Sequence, residues 1–180
     1  MARFVALLRG INVAGHQPVK MAALRAVFAG LGCAAVQTYL QSGNVVCDAP
    51  RAAPEKLAQA VAETLRRDLG VSAAVLVLPA RRWAQVVAGN PFLQERGLDA
   101  TKLHVTFPLQ PPTAAALAKL ETLPKGPDLI VASGGVLYLH CPEGYGRSKL
   151  SNVPLERALQ VEATTRNWNT VTALQRLLEA

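Results

Sequence analysis

The chain is 180 residues long, 51% hydrophobic but only 5% aromatic, with 19 Lys and Arg against 12 Asp and Glu for a formal net charge of +7. That length serves one large compact domain or two small ones closely joined, and the apolar content excludes a disordered chain. No run approaches the ~20 apolar residues of a membrane span. The apolar run at 4–8 is cut by Arg9, short of the roughly 7–15 residues of a secretory signal core. Cys33, Cys47 and Cys141 are too few and too scattered for a disulfide framework and read as buried small hydrophobes. A cytoplasmic protein with no membrane association is expected. The basic excess favours anionic partners: nucleic acid, nucleotides, phosphorylated metabolites or acidic proteins. It is spread along the chain, and its longest runs are the pairs Arg66-Arg67 and Arg81-Arg82.

In chain order, residues 3–8 read as a short, fully buried strand, because apolar residues run on without alternation. Gly10, Gly15 and Pro18 mark a loop. A helix over 20–31 follows, with Met21, Leu24, Val27, Phe28 and Leu31 on one face and Gly32 as its stop. Residues 35–40 and 45–47 are strands about the tight turn Ser42-Gly43-Asn44. Pro54 opens the next helix, whose buried line is Leu57, Val61, Leu65 and Leu69, capped by Gly70. Residues 73–78 give another strand. This order, β-α-β-β-α-β, is the split βαβ arrangement of ferredoxin-like domains.

A short connecting helix over 81–88 ends at Asn90-Pro91. A strand over 102–107, a helix started by Pro112, and strands over 129–132 and 136–140 about Ser133-Gly134-Gly135 then repeat the first half. A short helix over 153–159 and a longer one over 167–178 complete the chain. The fold class read from this order is α+β: two tandem ferredoxin-like halves with antiparallel sheets, an internal duplication and an extra C-terminal helix. The boundaries are 1–79, a connecting helix and loop over 80–101, and 102–180.

Polar residues at loops and element ends are the candidate site. The loop over 10–20 joins a buried strand to a helix start, where backbone N–H groups and the helix dipole can hold an anion. Arg9 and Lys20 flank it, and Asn12 and His16 lie within it. Its Gly10-x-x-x-x-Gly15 spacing is not a phosphate-binding P-loop, because His16 and Gln17 stand where Lys and Ser or Thr are required. Ser42 and Asn44 form the first hairpin turn. The segment 144–149 pairs Gly144 and Gly146 with Arg147 and Lys149, cations able to close over an anion. Arg166, Asn167 and Asn169 stand at the start of the last helix, with Asn167 or Thr165 as its N-cap and Trp168 on its apolar face. His16, His104 and His140 have no metal-ligand spacing, and no nucleophile–base–acid arrangement is legible. No metal and no cofactor are expected.

Residues 6–13, 38–45, 148–150 and 165–171, reading ALLRGINV, TYLQSGNV, SKL and TRNWNTV, resemble the signature segments of the bacterial domain-of-unknown-function family 1697. The resemblance implies a duplicated ferredoxin-like fold and candidate surfaces, but no activity. This chain departs from the family at Ala14, where a second glycine is usual, and at His16, near which the family carries Lys or Arg.

The leading expectation is a ligand site for a phosphorylated or nucleotide-like anion in a cleft between the halves, drawing on Arg9, Asn12, Lys20, Ser42, Asn44, Lys149, Arg166 and Asn167. One alternative is a structural or regulatory protein in which the same residues hold the fold together. Another is nucleic-acid binding without chemistry, for which Phe4, Tyr39, Phe107 and Tyr138 are the strand aromatics. Enzymatic activity and oligomeric state are left open by the residues.

Overall fold

In the computed structural model of the chain, which describes residues 1–50, 53–95 and 97–180, β1 (Ala2–Arg9) is the second strand from one end of a four-stranded sheet. An inner strand buries both faces, which is why Phe4 to Leu8 are apolar without alternation. α1 (Met21–Gly30) lays Leu24, Val27 and Phe28 on the sheet and closes on Gly32 at φ +82°. There the Cys33 N–H reaches the Phe28 carbonyl at 3.1 Å.

β2 (Ala34–Tyr39) and β3 (Asn44–Ala49) form the hairpin. α2 (Pro54–Leu69) has proline in its first turn, Glu55 at its positive end and Arg66 and Arg67 at its negative end. Its left-handed cap is Gly70, and β4 (Ala74–Pro79) runs straight into α3 (Ala80–Ala88). The strand order β2-β3-β1-β4 is antiparallel throughout. One face packs Phe4, Ala6, Leu8, Val45, Cys47 and Val77 under the two helices.

β5 (Leu103–Pro108), α4 (Ala114–Lys119), β6 (Leu129–Ser133), β7 (Val136–His140), α5 (Asn152–Leu159) and β8 (Ala163–Asn167) repeat the plan. Their sheet order is β6-β7-β5-β8, again antiparallel. α6 (Trp168–Glu179) follows β8 directly, as α3 follows β4. The second core gathers Leu120, Leu137, Leu139, Leu150, Leu155 and Leu159.

The two halves are thus ferredoxin-like and duplicated, as the element order predicts, with two differences. Residues 163–167 are a strand and not merely a cap for the last helix. α4 begins at Ala114 and not at Pro112, because the Thr113 hydroxyl accepts the Ala116 N–H at 3.1 Å and fixes the start there.

The chain divides into two compact units, residues 1–84 with 174–180 and residues 85–173, where the sequence boundaries were 1–79, 80–101 and 102–180. The end of α6 belongs to the first unit for a visible reason. The Arg3 guanidinium donates to the Leu177 carbonyl at 2.8 Å, and Leu174 and Leu178 are buried. Among the described residues no helix is long and apolar enough to cross a membrane.

Candidate functional site

In the first unit the loop after β1 is folded back on itself. The Asn12 N–H donates to the Gln17 carbonyl at 3.1 Å, and His16 N–H to the Val13 carbonyl at 2.8 Å. The Asn12 side chain then fastens this lobe on both sides. Its Oδ1 accepts the Val19 N–H at 2.7 Å. Its Nδ2 donates to the Val19 carbonyl at 3.0 Å and to the Gln41 carbonyl at 2.8 Å. Both amide protons are therefore committed to the backbone.

The hairpin turn closes against the same lobe. Asn44, fully buried, donates from Nδ2 to the Tyr39 carbonyl and the Ser42 Oγ, each at 2.9 Å. Gly43 sits at φ +78° with its carbonyl accepting the Leu8 N–H at 2.8 Å. A Cβ there would stand 2.7 Å from Leu8 Cβ and 2.9 Å from Ile11 Cδ1. Only glycine serves at such a crossing. The segments 6–13 and 38–45 are thus one interlocked structure, which their separation in sequence conceals.

That lock sets the surroundings of the two cations. Arg9, half-buried, closes β1 immediately after the bonded Leu8, and exposed Lys20 follows the clamped Val19 as the N-cap residue of α1. α1 has no side-chain cap at its start and no acidic residue in its first turn. Its first N–H groups accordingly lack protein acceptors within the helix. Arg9, Asn12, Lys20, Ser42 and Asn44 are all brought to this one end of the first sheet.

In the second unit the predicted residues do not share a face. β5 and β8 pair Val105 with Arg166 and Thr106 with Thr165. Arg166 therefore lies on the face away from the core of Leu137 and Leu139, and Asn167 and Thr165 lie towards that core. Arg166 is buried, and its Nη1 donates to Thr164 Oγ1 at 2.6 Å and to the Thr165 carbonyl at 3.1 Å. Loss of hydration lowers its pKa to about 10, so it keeps its charge at neutral pH. Lys149 is exposed, between Ser148, which donates to Asp128 at 2.7 Å, and Leu150, which is buried in the core.

Around the candidate Asn167, the core side of this sheet gathers polar side chains that are not among the candidate residues. Asn167 Nδ2 donates to the Thr101 carbonyl at 3.0 Å and lies 3.3 Å from His104 Nε2. Asn167 Oδ1 accepts the Asn169 N–H at 2.9 Å, which confirms it as a helix-start residue. His104 Nδ1 faces the Lys102 carbonyl at 3.3 Å, and the ring stacks on Tyr145 with centroids 4.8 Å apart. A proton on Nδ1 satisfies all these partners, an arrangement that favours the neutral ring. Burial lowers its pKa in the same direction. A second chain of bonds links Thr106 to Thr165 at 2.7 Å and Thr165 to Asn152 Oδ1 at 2.6 Å, where the Tyr145 hydroxyl also donates at 3.2 Å. Their association is not legible in sequence, since only the β5–β8 register brings them together.

Among the described residues no cluster of His, Cys, Asp and Glu is arranged to hold a metal ion. The cysteines are buried free thiols; desolvation raises Cys33, Cys47 and Cys141, with Cys47 pushed up to about 12. Such thiols are poor nucleophiles.

Two tandem ferredoxin-like units, the first with a polar, interlocked hairpin end, define a duplicated α+β protein. The chain belongs to the family described as protein of unknown function (DUF1697), whose model matches residues 1–138. That stretch contains the segments 6–13 and 38–45, whereas 148–150 and 165–171 lie beyond it. The fold is also similar to that of the conserved bacterial protein SP0830 from Streptococcus pneumoniae. That likeness has a TM-score of 0.79 and 21% identity over 98% of each chain. At that identity it speaks to fold alone. No curated protein matches the chain.

Proposed function

We propose that this chain binds a phosphorylated or nucleotide-like anionic small molecule at the hairpin end of its first unit. The observation that carries the reading is exposed Lys20 at the start of α1, which has neither side-chain cap nor acid, at the end of the sheet where β1 closes on Arg9. A helix start with open N–H groups and an adjoining ammonium attracts phosphate by dipole, hydrogen bond and charge together. In this reading Asn12 and Asn44 do not touch the ligand. They fix the backbone that presents it, while Lys20 supplies the mobile charge. The net charge of +7 draws anions towards the chain in general.

The test is a thermal-shift screen of nucleotides and phosphorylated metabolites on wild type, Arg9→Ala and Lys20→Ala. A ligand at a hundred times its dissociation constant stabilises the fold by about 2.7 kcal/mol. One class should shift wild type and shift Lys20→Ala much less. If the whole library leaves wild type unmoved, the reading is wrong.

A structural role for the same polar residues is the second reading, favoured by the consumption of both Asn12 amide protons inside the fold. It expects no ligand and a loss of stability on mutating Asn12. Nucleic-acid binding draws less support, because Phe4, Phe107 and Tyr138 are buried and offer no stacking platform. A salt-sensitive gel shift with single-stranded RNA would favour it over the small-molecule reading.

A further inference from the structure

β6 ends the second sheet, and its outer edge is unlike that of its counterpart in the first. β2 carries an irregular register between Ala34 and Gln37, with Ala35 at φ +47°. A bulge of this kind spoils an edge for further pairing. β6 has no such protection. It pairs residue for residue with β7 from Leu129↔His140 to Ser133↔Val136, and its five residues, Leu129 to Ser133, include no charge, proline or glycine. Leu129, Ala132 and Ser133 are exposed, and Ile130 and Val131 are half-buried.

The turn fixes which backbone groups face outwards. Gly134 and Gly135 have φ of 57° and 76° between the paired Ser133 and Val136. Positive φ at both central positions defines a two-residue hairpin, in which the flanking residues exchange both hydrogen bonds. Bonding then alternates along β6. Leu129, Val131 and Ser133 direct N–H and C=O to β7, while Ile130 and Ala132 direct theirs away from the sheet.

We infer that β6 is a self-association edge, on which a second copy of this chain docks its own β6 antiparallel about a two-fold axis through Val131. The occupant follows from the symmetry of the strand. The outward residues Ile130 and Ala132 stand one on either side of Val131. Ile130 of one copy thus meets Ala132 of the other, and the reverse, closing four backbone hydrogen bonds. Val131 faces its own twin as a non-hydrogen-bonded pair. An uncharged strand lets two chains of +7 approach here without like charges across the seam. The result is one continuous sheet of eight strands, twice the four of the second unit. This inference is independent of the anion site, which lies in the first unit.

The test uses the full chain in sedimentation velocity over a range of concentrations, with two opposing kinds of variant. Ala132→Pro removes an outward N–H while leaving the bonds to β7, as edge proline does, and Ala132→Lys adds a charge at the edge. Both should keep the wild-type circular dichroism and weaken the dimer by about tenfold or more. Val131→Cys should form a covalent dimer on mild oxidation, because the Cα atoms of a non-hydrogen-bonded pair lie about 4.5 Å apart. Leu129→Cys, offset by four residues from its twin, should not. The native thiols are buried and contribute little background. A wild type that stays monomeric at every concentration, with no Val131→Cys cross-link, overturns the inference. So does a dimer that ignores both Ala132 variants and cross-links through Leu129→Cys instead. If the proline variant fails to fold, the lysine variant and the cross-link pattern decide.

Discussion

Asn12 holds a φ of +54° and ties three backbone groups with one side chain. Asparagine tolerates the left-handed region better than most residues and has the two donors and the acceptor that this position uses. Asn12→Ala keeps the strain and loses every side-chain bond, leaving the Val19 N–H without its acceptor. It should cost about 2 kcal/mol, read as a lower urea midpoint at unchanged slope. His104 gives a pH-dependent counterpart. Its folded pKa lies below the ordinary 6.5. As pH falls through 6.5 the unfolded chain takes up a proton that the folded chain does not, so stability falls and levels off below the folded value. Above that window both states are neutral and the residue adds no slope. Urea midpoints of wild type should drop between pH 7.5 and 5 by more than those of His104→Gln; equal drops would place the titration elsewhere.

At the level of elements, what the sequence disclosed depended on where each strand lies. β1 and β7 are inner strands with apolar residues on both faces, and their runs stand out from any flanking loop. α2 is legible from proline at its start, a period-four apolar line and glycine at its end. β8 reads Ala163-Thr164-Thr165-Arg166-Asn167, which carries no apolar alternation. One of its faces feeds the Thr106–Thr165–Asn152 chain and the other carries a buried guanidinium, so its partners, not its composition, make it a strand. For the same reason the sequence conceals the pairing of Asn12 with the hairpin, because their contacts are fixed by the β1–β3 register. Thr165→Val tests the chain of hydroxyls directly. The shape is nearly kept, but the buried Thr106 hydroxyl loses its partner, so a loss of about 1–3 kcal/mol is expected in chemical denaturation. Far-ultraviolet circular dichroism should be unchanged.

For the whole molecule, the division of the chain makes a stronger statement than the duplication does. Residues 174–180 complete the first unit although 85–173 intervene. Truncation after Ala173 removes Leu174 and Leu178, each buried, and the acceptor for Arg3. Burying a leucine stabilises by about 1.5–3 kcal/mol, so melting should fall on the order of 10 °C for a chain of this size. Hydrogen exchange should locate the loss in β1 to β4, with β5 to β8 keeping their protection. Equal loss of protection in both sheets would mean that the two units unfold as one.

The return of residues 174–180 also makes the second unit an insertion in the first. A chain held at residues 1 and 180 and stretched is therefore held at both points by the same unit. Tension loads β1 and the end of α6 first, and it reaches residues 85–173 only after that seam has parted. The expected record is a rupture of the first unit followed by a separate one of the second, in that order at every pulling rate.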